Sequence, residues 1–189
     1  MAFQFKIQLK NISKPPVWRR VLVPENFSFH HFHKVIQAVF GWYDYHLYEF
    51  SPQGIGSYPN IGIPSDFDWD EAPEMNAKRT KLTKIFKIEK QKFVYTYDFG
   101  DNWQHVITLE LITDDKVSKK AVCIGGKGAC PPEDCGGTWG YQSFLEIISD
   151  PKHDEYHEMR EWAGMEKGKT WEDIARFDLE ITNSILKSV

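Results

Sequence analysis

The sequence lacks most of the features that assign a chain to a functional class directly. Its 189 residues contain no run of about 18 apolar residues, so no segment is expected to span a bilayer. Nor does it open on a signal-peptide core: Phe3, Phe5, Ile7 and Leu9 alternate with polar residues, which is the period of a strand. Cysteine is scarce. The three present form an odd set confined to 123–135, which argues against a secreted disulfide framework and makes the cytoplasm the expected compartment. A basic excess is also missing, since the net charge is −4, and no global field draws the chain to nucleic acid or anionic lipid. Arginines number five, scattered at 19, 20, 79, 160 and 176. A serine recombinase needs an activated Ser within an arginine cluster, and a tyrosine recombinase needs several Arg and His around its Tyr. Neither constellation is there, nor is a P-loop, a G-x-S-x-G elbow or a dinucleotide glycine pattern.

Aromatic side chains are plentiful: 13 Phe, 8 Tyr and 7 Trp. Large rings fill cores, and Tyr and Trp also line binding clefts because each joins an apolar body to a polar tip. Apolar residues make up 41% and charged residues 26%, the balance of a globular protein, and the length suits one domain over 1–189. Residues 3–10 and 17–23 read as strands joined at the Pro15-Pro16 corner. Ser28 reads as an N-cap, followed by Phe29, Phe32, Val35, Ile36, Val39 and Phe40 at helical spacing up to Gly41. A strand is expected from His46 to Phe50, then a long surface loop over 51–76 carrying Asp66, Asp68, Asp70 and Glu71. A short helix is expected near 80–87. The strongest β signal is the hairpin in which Phe93, Tyr95, Tyr97 and Phe99 alternate, Gly100-Asp101-Asn102 turns, and Trp103 to Leu111 alternate back. A further strand at 121–124 ends the β-rich part near 125, and 141–149, 153–162 and 171–187 read as helices. Without regular βαβ alternation the class is α+β.

Four constellations bear on chemistry. Asp98, Asp101 and His105 crowd the hairpin turn, where carboxylates and an imidazole suit a metal or a proton transfer, and where Asp equally serves as a turn cap. The loop C-I-G-G-K-G-A-C-P-P-E-D-C-G-G displays Glu133 and Asp134. Its Cys123, Cys130 and Cys135 offer a zinc set without the tight C-x₂-C spacing, or simply three buried thiols. His153 and His157 stand four apart, and His33 is expected to be a partly buried, hydrogen-bonded histidine. Arg19 and Arg20 point to opposite faces of their strand, so one of them is expected to pair with a carboxylate. The hairpin and the Cys-Pro loop both combine special backbone residues with short acidic side chains, so they are expected to face each other and form one site. His46 and Trp42 would supply further walls. If a metal binds there, Asp98, Asp101 and His105 with Glu133 or Asp134 form an oxygen-rich set suited to Mg²⁺ or Mn²⁺ rather than Zn²⁺.

Taken together, V-W-R-R-V-L-V-P, H-H-F-H-K-V-I-Q-A-V-F-G-W, H-L-Y-E-F, Y-T-Y-D-F-G-D-N-W-Q-H and A-C-P-P-E-D-C-G-G-T-W-G-Y resemble the plasmid pRiA4b ORF-3-like family. The resemblance implies a predominantly antiparallel or mixed sheet of roll type, a helix across one face and a helical C-terminal part. It carries over no catalytic residues, and the resolvase-like label of some relatives finds no support in these residues. The favoured reading is a non-enzymatic interaction or accessory module, linked to mobile elements, with a protein partner rather than nucleic acid and no membrane. A metal-dependent hydrolase or nuclease built on the candidate site is the alternative, and a DNA-binding accessory factor the third. Because no Ser or Tyr has the arginines that stabilise a phosphoryl-transfer transition state, incubation with supercoiled DNA should yield no covalent protein–DNA adduct on denaturing gels.

Overall fold

A computed structural model of the chain describes residues 1–64, 72–114 and 119–189. Its strands are β1 (Ala2–Ser13), β2 (Pro16–Pro24), β3 (Tyr48–Ser51), β4 (Ile61–Gly62), β5 (Met75–Asn76), β6 (Lys92–Tyr97), β7 (Trp103–Thr113) and β8 (Val122–Lys127). They form one sheet in the order β5-β4-β3-β6-β7-β1-β2-β8, antiparallel except for β4 and β5. The β6–β7 hairpin is central, as its apolar alternation implied. The helices are α1 (Phe29–Phe40), α2 (Leu82–Ile85), α3 (Gly137–Ser149), α4 (Tyr156–Trp162), α5 (Trp171–Ala175) and α6 (Leu179–Leu186).

The period-2 pattern puts one ring or branched side chain after another on a single sheet face: Phe5 and Ile7 from β1, Val21 from β2, Phe50 from β3, Tyr95 from β6, Ile107 and Leu109 from β7. Helix α1 lies on that face. Ser28 caps it by accepting from His31 N, and Gly41 ends it in the left-handed region at φ 79°. Phe32 packs 4.8 Å from Phe5, and Phe29 packs 5.0 Å from Phe50, ring centre to ring centre. The other face is partly wet. There Arg20 pairs with Glu110 through two hydrogen bonds of 2.6 and 3.0 Å, and Lys10 donates to Gln104.

Three expectations are corrected. The 51–76 segment is not all loop, because Ile61–Gly62 pairs with β3 and with Met75–Asn76. Its acidic residues Asp66, Asp68, Asp70 and Glu71 lie outside the described residues. The 171–187 helix is two helices. Phe177 between them stacks over the Arg19 guanidinium at 4.7 Å, and Asp178 starts α6 by accepting from Ile181 N. The two arginines divide as their opposite strand faces imply: Arg20 is the one that pairs with a carboxylate, Glu110, while Arg19 faces the core and donates to the carbonyls of Trp18, Val39, Lys127 and Gly128. His153 precedes α4 and accepts from Glu155 N, so it shares no helix face with His157. The edge strand β8 is covered by Asn183 of α6. Its side-chain amide bonds both the N–H and the carbonyl of Cys123, as a neighbouring strand would. Phe32→Ala, which opens a cavity between α1 and the sheet, should lower unfolding free energy by ~3–5 kcal/mol in urea titrations.

Candidate functional site

The site is built where α1 ends. After Gly41 the chain runs through Trp42 to Leu47 along the ends of β6 and β7, and the Cys-Pro loop closes over it. Pro131 and Pro132 have no N–H to offer, and the loop's carbonyls are instead held by two indoles. Trp42 Nε1 donates to Pro131 O and Trp171 Nε1 to Cys130 O, both at 3.0 Å. Glu133 is the latch. Its Oε1 accepts from the Tyr97 hydroxyl at 2.6 Å and its Oε2 from Tyr43 N at 2.7 Å, while the Tyr97 oxygen accepts from Tyr45 N. Burial and the adjacent carboxylate both hold the Tyr97 phenol protonated, far above its usual range.

The hairpin and the loop face each other. Asp101 Oδ2 accepts from Gly136 N at 3.1 Å, and the carbonyl of Asp101 lies so near Gly137 that a Cβ there would stand 2.3 Å from it. Only glycine fits that approach, at φ 67°. Asp98 Oδ1 caps the turn by accepting from Gly100 N and Asp101 N, which leaves Oδ2 free. His46 Nε2 lies 3.7 Å from that Asp98 Oδ2 and 2.8 Å from Asp134 Oδ1. The nitrogen is buried, yet neither contact has the alignment of a hydrogen bond. His46, Asp98 and Asp134 thus present three ligand atoms within 4.8 Å of one another, the one such grouping among the described residues. Asp98 and Asp134 sit at φ 54° and 58°, and Asp44 nearby at 61°, a sparsely populated region that clusters at functional sites.

His46 also walls a cleft of about 460 Å³ shared with Asp44, Tyr48, Glu49, Lys78 and Phe99. Behind it runs a closed hydrogen-bond network. Gln37 Nε2 donates to the Tyr95 hydroxyl, which donates to His33 Nδ1, and His33 Nε2–H donates to Asp44 Oδ1 at 2.6 Å. The direction follows from Gln37 supplying an N–H, which leaves the Tyr95 proton for His33. Lys34 completes the network on the other Asp44 oxygen. Burial lowers the pKa of His33 against the raising effect of Asp44, so the pair is neutral imidazole and carboxylate, and Asp44 is held down at about 2 by His33 and Lys34.

The expected ligand set changes in three places. His105 is not in the site. It points into the core against Phe40, Trp42 and Tyr95, because period-2 alternation puts it on the face opposite Gln104. Asp101 and Glu133 are occupied as structural acceptors. Among the described residues the cysteines gather no group of metal-ligand atoms: Cys123 and Cys130 face the core, and burial pushes the thiols of Cys130 and Cys135 up to about 12. His46, expected as a wall, stands between the carboxylates of Asp98 and Asp134, and Trp42 is buried in the core.

The match to the plasmid pRiA4b ORF-3-like protein model extends over residues 1–183. The chain belongs to that family. Its relative y4hQ of Sinorhizobium fredii (strain NBRC 101917 / NGR234), an uncharacterized protein, is 38% identical over 162 residues, covering 85% of this chain and 80% of that one. The crystal structure of MM3350 from Methanosarcina mazei Go1, a protein of unknown function, shares the fold with a TM-score of 0.77 and 38% identity, over 95% of each chain.

Burial lowers His105 to about 3. An imidazole whose pKa is depressed on folding contributes fully above its unfolded value near 6.5 and is lost as pH falls below it. Stability should therefore decline from about pH 6.5 toward 3, and His105→Leu should flatten that decline in acid-titrated melting curves.

Proposed function

We propose that the protein is a divalent-cation-dependent binding module whose cation sits between His46, Asp98 and Asp134. The observation that supports this is His46 Nε2: it is buried, 2.8 and 3.7 Å from two carboxylate oxygens, and hydrogen-bonded to neither. An imidazole nitrogen placed so faces a point that both carboxylates also face. One nitrogen with two carboxylates suits Mn²⁺ ahead of Mg²⁺, since imidazole is a softer donor than a carboxylate. Three protein ligands at the surface leave open positions for water or for an anionic group of a bound partner. Tyr43 and Tyr45, exposed and stacked on each other at 5.7 Å beside the site, give such a partner an apolar contact.

A second reading is hydrolysis assisted by the cation. The His33–Asp44 pair supports it, because Asp44 lines the same cleft as His46 and is oriented by a buried imidazole. In that reading the cation would polarise a water at its open position, and Asp44, too acidic to take its proton, would help orient that water by accepting a hydrogen bond from it.

Calorimetry with Mn²⁺ should show one site per chain. Asp98→Asn preserves the turn cap, since Asn also tolerates the left-handed region and keeps an oxygen for Gly100 N. It should weaken binding at least tenfold while moving the melting temperature little. Asp101→Asn should leave Mn²⁺ affinity nearly unchanged. Equal effects of the two variants, or no heat with the wild-type protein, would count against the site. Turnover of an activated phosphodiester only when Mn²⁺ is present, lost in Asp44→Asn, would favour the second reading.

A further inference from the structure

The total charge of −4 conceals a segregation. Between 78 and 92 the chain carries Lys78, Arg79, Lys81, Lys84, Lys87, Lys90 and Lys92 against the single Glu89, a net +6 within a chain that is acidic overall. All seven cations are exposed, and none has an ion-pair partner among the described residues. Glu89 forms no ion pair with any of them among the described residues; its Oε1 accepts from Ile112 N. Seven unpaired like charges in so short a segment repel one another and weaken the fold unless a polyanion meets them.

The first three of these cations, with Lys119, wall a cleft of about 610 Å³ at the start of α1. Its floor is aromatic: the His31 ring stacks on Phe27 at 4.1 Å and 17°, with Phe27 buried and His31 exposed. The backbone N–H groups of the first helical turn are already used. Phe29 N donates to Thr80 O, His30 N to Ala77 O, and His31 N to Ser28 Oγ. The attraction of the cleft for an anion is therefore that of its side chains.

We propose that this cleft and the basic segment leading from it along α2 to β6 bind single-stranded nucleic acid, with phosphates on Lys78, Arg79 and Lys81 and a base stacked on His31. Three features choose this partner among polyanions. The cations line a concavity, which a flat anionic bilayer does not enter. The stacked His31–Phe27 pair offers a face for a base, which an acidic peptide lacks. Among the described residues the helix in the basic segment, α2, has only four residues, too few to lie in a duplex groove, which favours a single strand. Backbone charge and stacking without an array of base-edge contacts make the binding tolerant of sequence. The inference does not rest on the cation site, although Lys78 also walls the cleft containing His46.

The test is fluorescence anisotropy of the full chain with labelled oligothymidylate in EDTA, so that failure of the cation site leaves it untouched. Neutralising about four phosphates gives a log–log salt slope of about −3, a roughly fifty-fold loss of affinity between about 50 and 200 mM salt. Lys78→Gln/Arg79→Gln/Lys81→Gln should reduce the steepness of that slope by about two. His31→Ala should weaken binding about tenfold without changing the slope. Lys152→Gln/Lys167→Gln, which removes two exposed cations of the C-terminal part, should do neither. Far-UV circular dichroism and melting curves confirm that each variant is folded. Should the triple variant fail to fold, Lys84→Gln/Lys87→Gln must lower the slope by about one. No binding at low salt would overturn the proposal, as would equal loss in the Lys152/Lys167 control. Binding of heparin, duplex or anionic vesicles as tight as that of the strand, with His31→Ala silent, would overturn it too.

Discussion

A helix of twelve residues is ~18 Å long and ~10 Å across, whereas the twelve residues of β1 beneath it run ~40 Å. Helix α1 therefore cannot cover the apolar face that β1, β2, β3, β6 and β7 present, and the rest of the fold answers that shortfall. On the side of β3, Leu82 and Phe86 from the α2 segment fill in beside Phe5 and Phe29. On the side of β8, α6 lies next to α1 and ties itself to Cys123 through Asn183. At the C-terminal end of α1 no regular element is available. The Cys-Pro loop closes the core there, hung from Trp42, Trp171 and Tyr97.

That closure is what makes a site. A loop that must reach over tryptophan rings and satisfy its own polar backbone without proline N–H groups draws donors from the aromatic side chains. It then leaves its short acidic residue Asp134 projecting toward His46 and Asp98. The left-handed conformations at Asp98 and Asp134 are maintained by the turn and loop bonds on either side of them. Arg19 is bound into the same closure from below. Buried and donating only to carbonyls, it joins the last turn of α1 at Val39 to the end of β8 at Lys127 and Gly128. Its loss would leave those carbonyls unpaired in the core, a cost of about 1–3 kcal/mol for each one that finds no water.

The two polar sites lie at opposite ends of α1. The His46–Asp98–Asp134 cluster, the proposed cation site, is at the helix's C-terminal end. The basic cleft is at its N-terminal end, where Ser28 and the 76–81 segment meet. Lys78 borders the cavities at both ends, and so a strand lying in one can reach the edge of the other.

Local pattern alone determined a good deal. Alternation in residues 3–9 and 93–109 fixed which side chains face the core, since a strand offers only two faces, and the apolar spacing from Phe29 to Phe40 with Ser28 and Gly41 fixed α1. The glycines and prolines of the Cys-Pro loop, with the hairpin turn, identified the two segments that meet. Local pattern did not decide the membership of the site. His105 follows the turn in sequence as closely as Asp98 precedes it, but a strand's two-residue period sends it inward, whereas His46, fifty residues from the hairpin, arrives because Tyr97 holds the backbone of Tyr45. Glu133 and Asp134 are neighbours with opposite fates, one used up by Tyr97 and Tyr43, the other left for His46. Hydrogen-bond partners supplied from across the fold decided each of these roles, and only the folded chain brings those partners together.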